Sequence, residues 1–248
     1  MVFFVLAFLS TSFAEKDIGT LPPAKLQTIF SEANRAYDEN RFQGAIEGYT
    51  SLLSKGLYSK ELLFNLANTY FKNGQLGHAI LHYRRAWYLS PRDPEIIANL
   101  RFALEQSRGL APPQNTFSAL IFKGNRSEWG IIAILCYWFS SLCIAGCLLF
   151  RNQRPVIIRI LAGCIGVLIL SLVARGYWSS YYKHSEVVML KTSQQALYAP
   201  IKNSTIHFEI PEGSILRLED RSESWIKLKT GKKVGWVPRS SCEMVYPW

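Results

Sequence analysis

The sequence predicts a multidomain α + β membrane protein: an α-solenoid of two helical-hairpin repeats with a capping helix, a two-helix transmembrane hairpin, and a small C-terminal β-barrel. Three observations predict it. Residues 33–91 match themselves at an offset of 34. Two apolar runs follow, 131–150 without a charge and 156–174 interrupted only by Arg159. Residues 186–248 then break into short β-rich runs separated by turn residues.

The repeat comes first because it organises the rest. Ala33, Asn34, Phe42, Ala45, Tyr49 and Leu52 recur as Ala67, Asn68, Leu76, Ala79, Tyr83 and Ala86. The turn position Asn40 recurs as Gly74, and Pro91 stops the second copy. Alanines belong where two helices cross closely, and the tyrosines fill the layer towards the next unit. A 34-residue period with this small–aromatic–small punctuation resembles the tetratricopeptide repeat, a helix–turn–helix unit that stacks on its neighbours. Asp93 as N-cap and Pro94 at the first helical position then open a further helix. Its Ile96, Ile97, Leu100 and Leu104 fall at helical spacing, and it is read as the cap on the last repeat. Two tetratricopeptide repeats plus a capping helix occupy residues 25–107.

Residues 1–14 are read as a signal peptide, with an apolar run followed by Ser12 and Ala14 at a small-residue cleavage pattern; no Lys or Arg precedes the run. Residues 108–128 are a linker, broken by Gly109 and Pro112–Pro113. Transmembrane helices are expected at 129–150 and 156–175, because about 20 apolar residues span a bilayer core. A loop of five residues makes them an antiparallel hairpin. Arg151, Arg154 and a snorkelling Arg159 assign that loop to the cytoplasm. Trp129, Tyr177, Trp178, Tyr181 and Tyr182 form an aromatic belt on the opposite side. Small residues four apart, Ser141/Ala145 and Ala162/Gly166, are expected at the helix–helix contact. The expected location is a bacterial inner membrane, two-pass, with both soluble domains extracytoplasmic.

The net charge is +10, but residues 15–109 are nearly balanced, with 12 Lys/Arg against 10 Asp/Glu. The excess sits in and after the apolar runs. That favours anionic lipid over nucleic acid as the polyanion met, since no basic stripe stands out. Four of the five cysteines lie in or beside apolar runs and no Cys-x-x-Cys occurs, so they are read as small packing residues. His78 and His82 stand four apart on a helix, a spacing that can hold a metal. With no third ligand beside them they are read as partly exposed surface histidines. No catalytic triad, phosphate loop or carboxylate pair stands out. A non-enzymatic protein without cofactor or metal is expected.

Two candidate sites remain. The groove-facing positions of the first helices of each repeat hold Phe30, Asn34, Phe64, Asn65, Asn68 and Asn99. An asparagine offers a peptide both a donor and an acceptor. Co-chaperone repeats that clamp a C-terminal carboxylate resemble this at Asn34 and Asn65. Their basic positions are here Phe30, Glu95 and Asn99, so a neutral peptide or helix is expected as partner. In residues 186–248 the run ALYAP, IPEGSILRLE, SWIKLK, GWVP is similar in order to bacterial SH3-like β-barrels. The candidate ligand face of that part is Tyr198, Trp225, Trp236 and Pro238. Pro200 replaces the second aromatic of the eukaryotic SH3 stretch, so a polyproline groove is incomplete. Protein docking, peptide binding and peptidoglycan binding stay open.

Signal, tetratricopeptide repeats, membrane hairpin and SH3-like domain, in that order and over nearly the full length, resemble the BatE family of bacterial aerotolerance (Bat) operons. The resemblance implies a membrane-anchored scaffold that binds partner proteins. The implied partners are von Willebrand-type membrane proteins and, indirectly, a MoxR-type AAA ATPase, in envelope stress tolerance or assembly. Two alternatives stand beside it: a cell-wall module anchored by the hairpin, and an assembly factor for a secretion or cytochrome-maturation system.

Overall fold

The computed structural model describes residues 22–111, 121, 124, 126–183, 186–191 and 193–245. The expected signal peptide and most of the linker lie outside these residues. Among them the chain forms seven α-helices and seven strands, a mixed α + β fold.

Five helices come first: α1 (Pro23–Asp38), α2 (Phe42–Ser54), α3 (Lys60–Lys72), α4 (Leu76–Leu89) and α5 (Pro94–Ser107). Ser59 caps α3 by accepting from the Leu62 amide, and Asp93 caps α5 by accepting from Glu95 and Ile96. The 34-residue period reappears in the backbone. α1, α3 and α5 are each followed by a left-handed residue, Asn40 (φ 58°), Gly74 (φ 75°) and Arg108 (φ 55°). Each is followed by an amide reaching back to a carbonyl of the last turn: Arg41 to Ala36 (2.8 Å), Gln75 to Tyr70 (2.9 Å) and Gly109 to Leu104 (3.1 Å). The third occurrence, after α5, lies one period beyond the two copies read in the sequence. Ala33, Ala67, Ala45 and Ala79 are all buried, as close helix crossing demands.

Two long helices follow, α6 (Arg126–Leu149) and α7 (Arg154–Lys183), joined by a short 3-10 turn at Arg151–Gln153. Both are long and apolar enough to cross a membrane, with mean hydropathy 2.2 and 2.7 over the candidate spans. The Arg154 guanidinium donates to the Cys147 carbonyl at 2.8 Å, satisfying an end carbonyl of α6. The contact between the helices differs from expectation. Ala145, Ala162 and Gly166 face outward. The seam instead runs through buried Ala133, Ser140, Ser171 and Ala174, with half-buried Cys136, Cys143, Cys147 and Cys164 at heptad-like spacing. The short loop sets the rotation of each helix, and small residues on the other faces are left to the surroundings.

The strands are β1 (Glu186–Met189), β2 (Gln194–Leu197), β3 (Ile206–Ile210), β4 (Ile215–Arg221), β5 (Trp225–Thr230), β6 (Lys233–Pro238) and β7 (Cys242–Met244). They form one antiparallel sheet in the order β3-β2-β6-β5-β4-β1-β7. Among the described residues the closed barrel expected from the sequence is not formed: β3 and β7 end the ladder and do not pair with each other. The β7 end is covered by a helix instead. Arg85 on α4 donates to the carbonyls of Val245 (3.0 Å) and Met244 (2.8 Å) and to the Glu243 carboxylate (2.7 Å).

That contact belongs to a larger joint centred on α4. Arg84 pairs with Glu186 through two bonds, 2.9 and 3.0 Å, with both side chains 6% exposed. Tyr88 donates to the same carboxylate at 3.1 Å. The Gly77 amide donates to Glu212 at 2.8 Å. A Cβ at Gly77 would lie 2.7 Å from the Met189 carbonyl, so only glycine lets β1 approach α4 this closely. Beyond α5, Ile215 donates its amide to the Leu110 carbonyl at 2.7 Å. Trp87 stacks on the fully buried Trp178 of α7, 6.3 Å between ring centroids, and Arg92 pairs with Glu128 of α6. One apolar core therefore runs from α1–α5 into Ala174 and Trp178 of the hairpin and Val188, Ile215 and Val245 of the sheet region. A second core, with Val187, Met189, Ile226, Leu228 and Val237, lies within the sheet. The helical array meets the open end of the hairpin, away from its Arg151–Gln153 turn, and the sheet follows that end in the chain.

Candidate functional site

The joint occupies the α4 side of the helical array and leaves the face of α1, α3 and α5 open. On that face the asparagines are organised by the 34-residue period. Tyr49 donates its hydroxyl to Asn34 Oδ1 (2.5 Å), and Asn65 Nδ2 donates to the same oxygen (3.1 Å). One period later Tyr83 donates to Asn68 Oδ1 (2.5 Å) and Asn99 Nδ2 donates to it as well (3.4 Å). Each set joins both helices of one hairpin to the first helix of the next. Burial pushes the Tyr49 pKa up to about 12 and that of Tyr83 up as well, so both hydroxyls stay protonated donors.

The bonds settle which amide atoms remain. Oδ1 of Asn34 and of Asn68 each already accepts two bonds. Their Nδ2 groups, and the Oδ1 atoms of Asn65 and Asn99, bond to nothing among the described residues. All four side chains are half-buried. The open face thus alternates free donors and free acceptors, which is what the backbone of an extended chain requires.

Two adjoining clefts hold these atoms. The first, about 310 Å³, is lined by Asn34, Tyr37, Asp38, Tyr49, Asn65 and Asn68. The second, about 300 Å³, is lined by Tyr37, Asn68, Phe71, Lys72, Tyr83, Asn99 and Phe102. Phe30 and Phe64 do not line either. They pack on Tyr49 (5.9 Å) and Tyr83 (5.8 Å) and hold those rings in place. Sequence reasoning missed Tyr37, Asp38, Phe71, Lys72 and Phe102, and it read the two tyrosines as packing alone. The period could have found four of them, since Tyr37/Phe71 and Asp38/Lys72 are 34 apart.

On the sheet, Trp225, Trp236 and Pro238 come together. Trp225 stands opposite Pro238, and Trp236 opposite both Lys227 and Leu197. The Lys227 ammonium lies 5.8 Å from the Trp236 ring centroid. Tyr198 sits apart, stacked on His207 at 4.1 Å and 60% exposed.

His82 corrects the sequence reading, whereas His78 is half-buried. His82 is buried rather than a surface residue, because α4 is covered by the sheet. Its ring stacks on Tyr70 at 5.4 Å, and His78 stacks on Tyr70 at 4.8 Å. His82 Nδ1 has no hydrogen-bond partner among the described residues. Burial, then the charge of Arg85, hold its pKa well below the usual imidazole value, so it is neutral. Among the described residues no group of three or more His, Cys, Asp or Glu side chains gathers to hold a metal ion. No protein-family model matches the chain, and no curated protein matches it significantly.

Proposed function

We propose that this chain is a membrane-anchored protein-interaction scaffold, in which helices of the tetratricopeptide kind hold an extended segment of a partner protein on the asparagine face. The observation that carries this reading is the repeated Tyr–Asn–Asn set. Two copies, 34 residues apart, leave free donors and acceptors in two adjoining clefts. The fused joint at α4 supports it too, because a groove mounted rigidly on a membrane hairpin can hold a partner at a fixed place near the bilayer. On this reading the groove and the SH3-like sheet region face the extracytoplasmic side. The partners are von Willebrand-type membrane proteins and, indirectly, a MoxR-type AAA ATPase, and the chain itself is not an enzyme. The test is capture of membrane proteins by cross-linking from the groove, with and without Asn34→Ala and Asn65→Ala together. The double variant is expected to lose most of the captured partner at unchanged helicity by circular dichroism; equal capture removes the groove from consideration.

A second reading, in which the sheet region binds a cell-wall or peptide ligand, is favoured by the Trp225, Trp236, Lys227 and Pro238 face. Trp236→Ala abolishing co-sedimentation of the full chain with peptidoglycan would place the work there instead.

A further inference from the structure

We infer that the groove selects a segment of mixed charge: a basic side chain at the first cleft, and an acidic one beside an apolar one at the second. The inference rests on the groove reading above and names the chemistry of its occupant. Asp38 lines only the first cleft and Lys72 only the second. They are the same repeat position, 34 residues apart, and end α1 and α3 respectively. Neither forms an ion pair or side-chain hydrogen bond among the described residues, and both are exposed. Lys72 suits the negative end of its helix, whereas a carboxylate at the end of α1 is disfavoured by the helix dipole. Asp38 therefore does not serve its own helix, and it sets one wall of the first cleft.

The second cleft is also apolar where the first is not. Phe102 on α5 stands at the position held by Asn34 and Asn68 in the two preceding helices of this face. It is 60% exposed and lies 5.7 Å from Phe71. The amide ladder thus ends on an aromatic platform next to Lys72. Packed helices stand about 10 Å apart, a distance that an extended chain covers in about three residues. In an extended chain of the polyproline II kind, which turns once in about three residues, side chains that far apart share one side. The basic and acidic side chains of the occupant are therefore spaced about three residues apart, with an apolar residue adjoining the acid.

The test uses the full chain in lipid nanodiscs at low salt and fluorescent peptides of about ten residues. One probe carries Lys and Glu about three positions apart with Phe beside the Glu; two others are doubly basic or doubly acidic at those positions. The mixed probe is expected to bind about five-fold tighter than either, the scale of one exposed charge contact exchanged for a repulsion. Lys72→Glu is expected to transfer the preference to the doubly basic probe, and Asp38→Lys to the doubly acidic one. Equal binding of all three probes by the native chain, or an unchanged order in both variants, overturns the inference while leaving the groove reading intact. Failure of every probe to bind overturns both.

Discussion

Helices α2 and α4 occupy the same place in successive repeats, yet one faces open surroundings and the other is covered almost all round. In α2 the buried residues are Ala45, Ile46, Tyr49 and Leu52, a single stripe against α1 and α3. In α4 the run from Ala79 to Tyr88 is buried without a break. The positions shared by period are the core: Ala45/Ala79, Ile46/Ile80, Tyr49/Tyr83 and Leu52/Ala86. The positions that depart from it are the joint. Gln43, Thr50, Ser51, Leu53 and Ser54 of α2 become Gly77, Arg84, Arg85, Trp87 and Tyr88 of α4. Agreement between repeats therefore reports how helices pack on one another, and disagreement reports what else one of them touches.

Removing one side of the buried Arg84–Glu186 pair is expected to have the largest effect. Arg84→Ala leaves the Glu186 carboxylate buried with only part of its partners, which costs about 3–5 kcal/mol of stability. Thr50→Ala, the equivalent change on α2, stays within about 0.5 kcal/mol. Denaturant unfolding of the full chain in micelles measures both. The double change Arg84→Ala with Glu186→Ala is expected to cost clearly less than the sum of the single ones, because the two residues act as one unit. Equal effects of Arg84→Ala and Thr50→Ala would mean that α4 is no more tied down than α2.

A smaller effect separates the two helices by pH. His82 occupies the position of Gly48 and is neutral when folded, since burial and Arg85 lower its pKa. In the unfolded chain the same imidazole titrates near the usual value of about 6.5. Below that pH the unfolded state binds a proton that the folded state refuses, so stability rises with pH there and falls on acidification. The loss is up to about 1.4 kcal/mol per pH unit below roughly pH 6.5 for this one residue. His78, also lowered by burial, adds to it in the same direction. Melting curves taken between neutral and mildly acid pH should show that slope in the native chain and a shallower one in His82→Phe, whose ring keeps the stack on Tyr70.

Most of the helical framework was legible because it obeys local rules. The period placed the alanines, the left-handed turns and the tyrosines, and Asp93–Pro94 announced α5. The four asparagines were legible for the same reason, since repeat positions face one way. The joint was not legible, because nothing local distinguishes an Arg–Arg pair on a solvated helix from one that meets Glu186 and the end of β7, 102 residues and more away in sequence. The open edge of the sheet was missed likewise: the strand runs read as a barrel, and only the arrival of α4 explains why β7 needs no strand beside it. The hairpin was clear from hydropathy, but its seam was not, because small residues occur on several faces and the short turn decides which face meets the partner helix.

The finest test contrasts two glycines. Among the described residues, nothing beyond its own turn of helix and chain neighbours lies within 4 Å of where a Cβ on Gly44 of α2 would stand. Alanine there removes backbone freedom from the unfolded chain and should stabilise by about 0.5–1 kcal/mol. Gly77 on α4 gains the same helical preference from alanine, but its new methyl would meet the Met189 carbonyl at 2.7 Å and Leu190 Cα at 2.9 Å. Those are backbone atoms, so β1 must move away from α4, and overpacking of this kind costs about 1–3 kcal/mol. The two substitutions are therefore expected to shift the melting temperature in opposite directions. A rise in both would mean that the approach of β1 to α4 has room to relax, and that the joint rests on Arg84 and Arg85 rather than on close backbone contact.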